Sequence, residues 1–228
     1  TEDRPKCLLA FGRQTILDCC LEHLRAAGVA DVTLVVGYRK DLVKSLYAGK
    51  PGWSIAFVDN DDFAATNTAY SLHLALAGMD DDFVLINGDV LFDRGILSDL
   101  IAHPSANCVA VDTEIPLDHE EIKVIASDGR VERISKELDP RRSVGEAIGL
   151  YKVGRGIIPD LRAVYEDLER KGECRHYFEK GFERICEEGG AGGRGFGLSY
   201  TRGRPWVEID TLEDFAHAQR EIYPRICG

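Results

Sequence analysis

The chain has 228 residues, 44% of them hydrophobic and 29% charged, with a formal net charge of −11 and a pI near 5.0. That length buries a sizeable core within one domain, and a mean hydropathy of −0.18 with no apolar run near ~18 residues argues against a disordered or membrane-spanning chain. The acidic balance argues against a general nucleic-acid binder, which neutralises phosphates with Lys and Arg, so an anionic ligand must meet a local positive pocket or bring a metal.

In chain order, short β-branched runs alternate with amphipathic helices, the pattern of an α/β chain with a mostly parallel sheet covered on both faces. Residues Thr15 to Gly28 carry apolar positions at Ile16, Leu17, Cys20, Leu21, Leu24 and Ala27. Thr15 and Asp18 are spaced as a capping box and Gly28 as a stop, which predicts a helix. A buried strand is expected over Asp31 to Gly37, a short helix over Asp41 to Tyr47 and a strand over Ser54 to Val58. Asn67 is the expected N-cap of the next helix. Phe83 to Ile86 is a continuous apolar run ending in Asn87-Gly88-Asp89, which suits a central strand delivering a polar loop.

Beyond about Asn107 the strands shorten and look antiparallel: 108–111, 123–126, 131–134 and 147–153, with Asp128-Gly129 as a hairpin turn. Helices are expected near Ile158 to Arg170 and Tyr177 to Glu187. A glycine-rich loop over Gly189 to Gly197 follows, then a strand toward Trp206 and a last helix opened by Thr211 with Asp214 completing a capping box. The glycine-rich loop lacks the G-K-[ST] of a phosphate loop and reads as a surface loop. No repeat or linker divides the chain, so residues 1–228 read as one domain. Seven cysteines (Cys7, Cys19, Cys20, Cys108, Cys174, Cys186, Cys227) form no C-x-x-C pair, which predicts free thiols in a reducing, cytoplasmic setting.

Two acids stand out because each follows a strand-like run: Asp89 in LINGDVLFD and Asp210 in WVEIDTLEDF. In an open α/β sheet ligands gather outside the carboxyl ends of the strands, so the two carboxylates can converge there, and hard oxygen donors suit Mg²⁺ with substrate phosphates. The competing structural readings are a solvated turn acid for Asp89 and a helix cap for Asp210.

The opening stretch TEDRPKCLL, followed by the helix at Thr15, resembles the region just after the glycine-rich nucleotide loop of the sugar-nucleotidyltransferase superfamily. VVGYRKD, TNTAYSL, INGDV, DGRVERISKEL, GEAIGLYKV and WVEIDTLEDFAHA continue the resemblance in order over nearly the whole chain. The short length and the SKEL and GEAIGLYKV segments look most like the phosphocholine and related phospho-alcohol cytidylyltransferases. The resemblance implies a three-layer α/β/α Rossmann-like nucleotidyltransferase fold with a mostly parallel mixed sheet. It also implies a G-x-G-x-R loop, expected upstream of Thr1. The metal motif departs from relatives with two acids there, leaving Asp89 as the one strong ligand of INGDV.

What the resemblance further implies is Mg²⁺-dependent transfer of CMP from CTP to a small phosphorylated alcohol, such as phosphocholine or 2-aminoethylphosphonate, with release of pyrophosphate. Asp89 and Asp210 are the expected metal ligands and Lys6 the triphosphate contact, these three forming the catalytic set. Tyr38, Asn67 and Ser71 are the further nucleotide-side candidates. Lys136, Glu146, Tyr177, Phe178 and Trp206 are the acceptor-side candidates. Asn67 and Ser71 also serve as helix-start residues, and the three aromatics equally suit a core. A quaternary ammonium would use an aromatic cage, whereas a primary amine would use carboxylates such as Glu146 or Glu179. The alternatives are a hexose-1-phosphate nucleotidyltransferase, a glycosyltransferase of the related fold, and an inactive nucleotide-sensing module. No nucleic-acid partner and no membrane span are expected.

Overall fold

The computed structural model describes residues 3–188 and 194–226. It opens with a short 3₁₀ turn, Lys6–Leu8, and a small ribbon of β1 (Ala10–Phe11) and β2 (Gln14–Thr15). Helix α1 (Ile16–Ala26) begins on the expected capping box. The Thr15 hydroxyl accepts from the Asp18 amide at 3.0 Å, and the Asp18 carboxylate accepts from the Thr15 amide at 3.0 Å. Next come β3 (Asp31–Val36), α2 (Lys40–Tyr47), β4 (Ser54–Asp59), α3 (Thr68–Leu76) and β5 (Phe83–Ile86). β6 (Val90–Phe92), α4 (Arg94–Ala102), β7 (Asn107–Asp112), β8 (Lys123–Ser127), β9 (Arg130–Ser135) and β10 (Gly145–Val153) continue the chain. α5 (Ile158–Arg170), α6 (Glu179–Glu187), β11 (Phe196–Tyr200), β12 (Trp206–Glu208) and α7 (Leu212–His217) complete it, α7 running through a π turn into α8 (Tyr223–Ile226).

The main sheet has the order β5-β10-β7-β11-β9-β8, with β3–β4 and β6–β12 as separate pairs. It is mixed. β3–β4 and β7–β11 are parallel, while β10 runs antiparallel to β5, β7 and β8. The parallel share among the described pairings is therefore smaller than the sequence suggests, because the long strand β10 reverses direction at the centre. The Asp128-Gly129 hairpin forms as expected, with φ of 50° and 74° at its two central residues, the double positive φ of a type I′ turn.

Alternation along β7 divides the core into layers. Val109 and Val111 face α3, α5 and α6, whereas Cys108 and Ala110 face α1, α2 and α4. A smaller cluster joins Phe11 and Ile16 to Leu91, Ile209 and Ile222, tying the first ribbon to the last helix. Two expectations shift. The helix expected from Tyr177 starts at Glu179. Part of the glycine-rich segment (189–193) lies outside the described residues, and Phe196 and Gly197 belong to β11. Gly197 permits that strand to pack closely, since a Cβ there would meet His103 and Ser105 at 2.7 Å. Among the described residues no helix is long and apolar enough to cross a membrane, and none of the six described cysteines is in a disulfide.

Candidate active site

The site is assembled by the small β6–β12 ladder. Its last rung pairs Val90 with Glu208, and the Ile209 amide donates to the Asp89 carbonyl at 3.0 Å, so the residues after β5 and those after β12 are held side by side. Asp89 is fixed from its other flank as well. The Asn87 amide donates to the Gly149 carbonyl at 2.9 Å, and Gly149 sits at φ +79° in a bulge of β10 between Ala147 and Tyr151. Carboxylate oxygens of Asp89, Glu208 and Asp210 lie within 4.8 Å of one another. Lys6 reaches in from the 3₁₀ turn that follows Pro5, donating to Asp89 at 3.3 Å and forming a second, shorter contact with Asp210.

The structural alternatives for the two aspartates do not describe what is seen. Asp89 keeps only 24% of its side chain exposed. Thr211, not Asp210, is the N-cap of α7, and the Asp214 carboxylate completes its capping box. Glu208 is the member that sequence reasoning missed. The signal was present: Glu208 and Asp210 stand two apart at a strand end, so both side chains leave on one side.

Burial and mutual repulsion set the charges. Burial pushes the Asp89 carboxyl up, Lys6 opposes that, and Asp210 adds to it. Burial, then the charges of Asp89 and Asp210, push Glu208 up to about 7. For Lys6, burial pulls downward, but contacts with Asp210 and Asp89 outweigh it and hold the ammonium above its ordinary value. With all three acids ionised, as a bound cation would keep them, three carboxylates against one ammonium would leave two negative charges uncompensated, and all the donors are hard oxygens. That donor set fits a divalent cation of the Mg²⁺ kind, which takes one or two carboxylates and completes its shell with water or phosphate.

The nucleotide-side candidates gather at the carboxyl ends of β3 and β4. Tyr38, 40% exposed, lies with its ring centroid 6.1 Å from that of Phe63. Ser71 accepts from the Asn60 side chain at 3.1 Å; Asn60 is buried, also donates to Thr66 at 3.2 Å, and was not anticipated. Asn67 caps α3, its side-chain oxygen accepting from the Thr68 amide at 2.8 Å.

The acceptor-side candidates divide. Lys136 donates to Glu120 at 2.8 Å and stands 5.7 Å from the ring centre of Tyr177, which is 44% exposed. Phe178 does not join them. It is 3% exposed and packs against Tyr151 and Phe182 at 5.2 and 5.5 Å, a core residue where the sequence allowed an acceptor contact. Trp206 is half-buried, and its indole N–H donates to Asp112 at 2.6 Å. Glu146 is buried in β10, where burial and then the charges of Glu121, Glu208 and Asp112 push it up to about 8. Among the described residues Glu146 forms no ion pair with a lysine: the nearby Lys123 is fully buried and donates to the carbonyls of Asp118 and Glu121 at 3.0 Å each. Glu179 is buried as well; one oxygen accepts from the Tyr151 hydroxyl at 2.8 Å, and burial pushes the group up to about 7.

The chain is 29% identical over 232 residues to the CMP-5′-(3-aminopropyl)phosphonate synthase of Streptomyces rubellomurinus, covering 97% of this chain but only 36% of that protein. It is 24% identical over 188 residues to the CTP:phosphoglutamine cytidylyltransferase of Campylobacter jejuni, covering 75% of this chain and 73% of that one. In fold it is similar to the inositol-1-phosphate CTP transferase of T. maritima, with a TM-score of 0.80, 18% identity and coverage of 99% and 89% of the two chains. The CTP:phosphocholine cytidylyltransferase of Streptococcus pneumoniae gives 0.78, 19%, 96% and 90%. The family model described as a MobA-like NTP transferase domain matches residues 2–176, and the chain belongs to that family.

Proposed function

We propose that this chain is the catalytic domain of a cytidylyltransferase, joining CMP from CTP to a small acceptor that bears a phosphate or phosphonate, with Mg²⁺ required and pyrophosphate released. The observation that carries the reading is the convergence of Asp89, Glu208 and Asp210 around Lys6 at the carboxyl end of β5. The choice of cytidine rests on what the relatives are named for.

Asp89 and Asp210, with Glu208 beside them, would hold Mg²⁺, which when bound supplies charge neutralisation for the reacting phosphates. The chain's own groups do the rest. Lys6 presents its ammonium to the triphosphate, and its pKa, held above the ordinary value, keeps that charge across the neutral range. An acceptor phosphate has a second pKa of about 6 and is largely dianionic at neutral pH, so one of its oxygens attacks the α-phosphorus without a general base. The protein's contribution is alignment of the two phosphates and electrostatic stabilisation of the leaving pyrophosphate. Tyr38 and Ser71 border the base side, and Lys136 with Tyr177 borders the acceptor side.

The full-length protein is to be incubated with Mg²⁺, each of the four NTPs, and a panel of phosphocholine, phosphoethanolamine, 2-aminoethylphosphonate, inositol-1-phosphate and glucose-1-phosphate. Pyrophosphate release with CTP and one phospho- or phosphono-acceptor is expected. Release with glucose-1-phosphate alone would move the chain to the sugar branch, and silence across the panel would favour a sensing module.

A further inference from the structure

Asp112, the last residue of β7, is a buried acid that the reaction centre itself does not use, only 5% exposed. A buried acid is costly unless donors meet it, and Asp112 is met by three. The Trp206 indole N–H donates to Oδ2 at 2.6 Å, the Thr201 hydroxyl donates to the same oxygen at 3.1 Å, and the Glu114 amide donates to Oδ1 at 2.8 Å. The backbone of Asp112 is held as closely. β10 passes so near that a Cβ on Gly145 would lie 2.2 Å from the Asp112 carbonyl oxygen. The carboxylate is therefore a fixed point of the main sheet.

The two donors to Oδ2 stand on either side of one chain reversal. Thr201 to Arg204 form a tight turn, with φ of 55° at Arg202 and 66° at Gly203 and the Arg204 amide donating to the Thr201 carbonyl at 3.2 Å. Thr201 follows β11 beside β7, its amide donating to the Val111 carbonyl at 3.0 Å, and Trp206 opens β12. One oxygen of Asp112 thus holds both the departure of the turn from the main sheet and the first residue of β12.

β12 needs such an anchor. Among the described residues it pairs with β6 alone, in three rungs, and a two-stranded ladder has little stability of its own. Trp206 and Glu208 are two apart in β12 and share one of its faces, so a bond that sets the indole also sets the direction in which Glu208 leaves the strand. We propose that Asp112 is a positioning residue for the reaction centre, setting through Trp206 where β12 stands and hence where Glu208 and Asp210 present their oxygens. With its N–H engaged by Asp112, Trp206 serves the site through β12 rather than by hydrogen bonding to an acceptor.

The catalytic consequence rests on the proposed reaction, whereas the placing of β12 does not, and the two are read separately. Asp112→Asn removes the charge, and Trp206→Phe keeps an aromatic ring but removes the N–H, so the second variant serves if the first folds poorly. Without nucleotide or metal, the amides of β12 and of Ile209 are expected to exchange about 10-fold faster in each variant, with those of the β3–β4 pair unchanged. Because both changes act through one bond, the double variant is expected to match Asp112→Asn alone. In turnover, half-saturating Mg²⁺ is expected to rise about 10-fold while KM for CTP at saturating Mg²⁺ stays within about 2-fold, a split that a general loss of stability would not produce. Parental exchange of β12 and Ile209 in both variants, a double variant that multiplies the two single effects, or an unchanged Mg²⁺ requirement would overturn the proposal. A parent that transfers no CMP would defeat the proposed reaction, and the exchange measurement would still decide whether Asp112 places β12.

Discussion

Replacing Gly149 with alanine perturbs the site from behind, through the backbone that places Asp89. The residue lies at φ +79°, and an added Cβ would sit 2.8–3.0 Å from three side-chain atoms of Asn87. Left-handed backbone at alanine costs about 1 to 2 kcal/mol, and crowding a packed position adds about 1 to 3, so Gly149→Ala is expected to destabilise by roughly 2 to 5 kcal/mol. With a urea m-value of about 2 kcal/mol per M, the midpoint falls by about 1 to 2.5 M. Because Asn87 must move and Asp89 follows it by two residues, kcat is expected to fall by more than about 10-fold where the variant is still folded. Gly78→Ala is the control: its φ is not positive and its Cβ would meet nothing within 4 Å. Urea unfolding by circular dichroism and steady-state pyrophosphate release read both. A Gly149→Ala protein with the parental midpoint and kcat would refute the argument that this bulge positions the loop carrying Asp89.

Three further outcomes follow from the geometry. Glu146 is pushed up to about 8 and Glu179 and Glu208 to about 7, all above the unfolded value of about 4.3, so between those limits the native state holds protons that the unfolded chain has released. Stability is therefore expected to fall as pH rises from about 5 to 8, and Glu146→Gln should flatten that slope; a stability that climbs over this range contradicts the burial argument. Phe178→Ala is expected to cost about 3 to 5 kcal/mol as a core truncation, whereas Tyr177→Ala should leave the melting temperature within about 2 °C and raise the acceptor KM. The reverse pattern would place Phe178 at the acceptor. Lys6→Met should lower kcat/KM for CTP by about 100-fold or more while the fold persists, and equal turnover in that variant would remove Lys6 from the site.

Most of the element order was legible because each segment announces itself locally. The Thr15–Asp18 and Thr211–Asp214 capping boxes, the Asp128-Gly129 turn and the FVLI run each carry a short-range signal that the fold leaves intact. Strand partners were harder, since pairing is decided by distant segments: that β10 runs antiparallel to three neighbours is not written in GEAIGLYKV alone. That Asp89 and Asp210 could converge was anticipated from their places at strand ends, and Lys6 was expected at the site from the family resemblance alone. Glu208 escaped because one acid in a β-branched run looks like a solvent-facing residue until the partner strand β6 is known. Phe178 and Tyr177 are adjacent and both aromatic, and only the packing of α6 shows that one enters the core and the other does not.

The central claim is that the three carboxylates and Lys6 form a metal-dependent reaction centre for CMP transfer. Its most direct test is pyrophosphate release from CTP and the preferred acceptor as a function of Mg²⁺ concentration, for the parent protein and for Asp89→Asn, Glu208→Gln and Asp210→Asn. Turnover abolished by chelation and lowered about 1000-fold or more in Asp89→Asn and Asp210→Asn is the predicted result. Undiminished turnover in either aspartate variant, or in excess chelator, would contradict it.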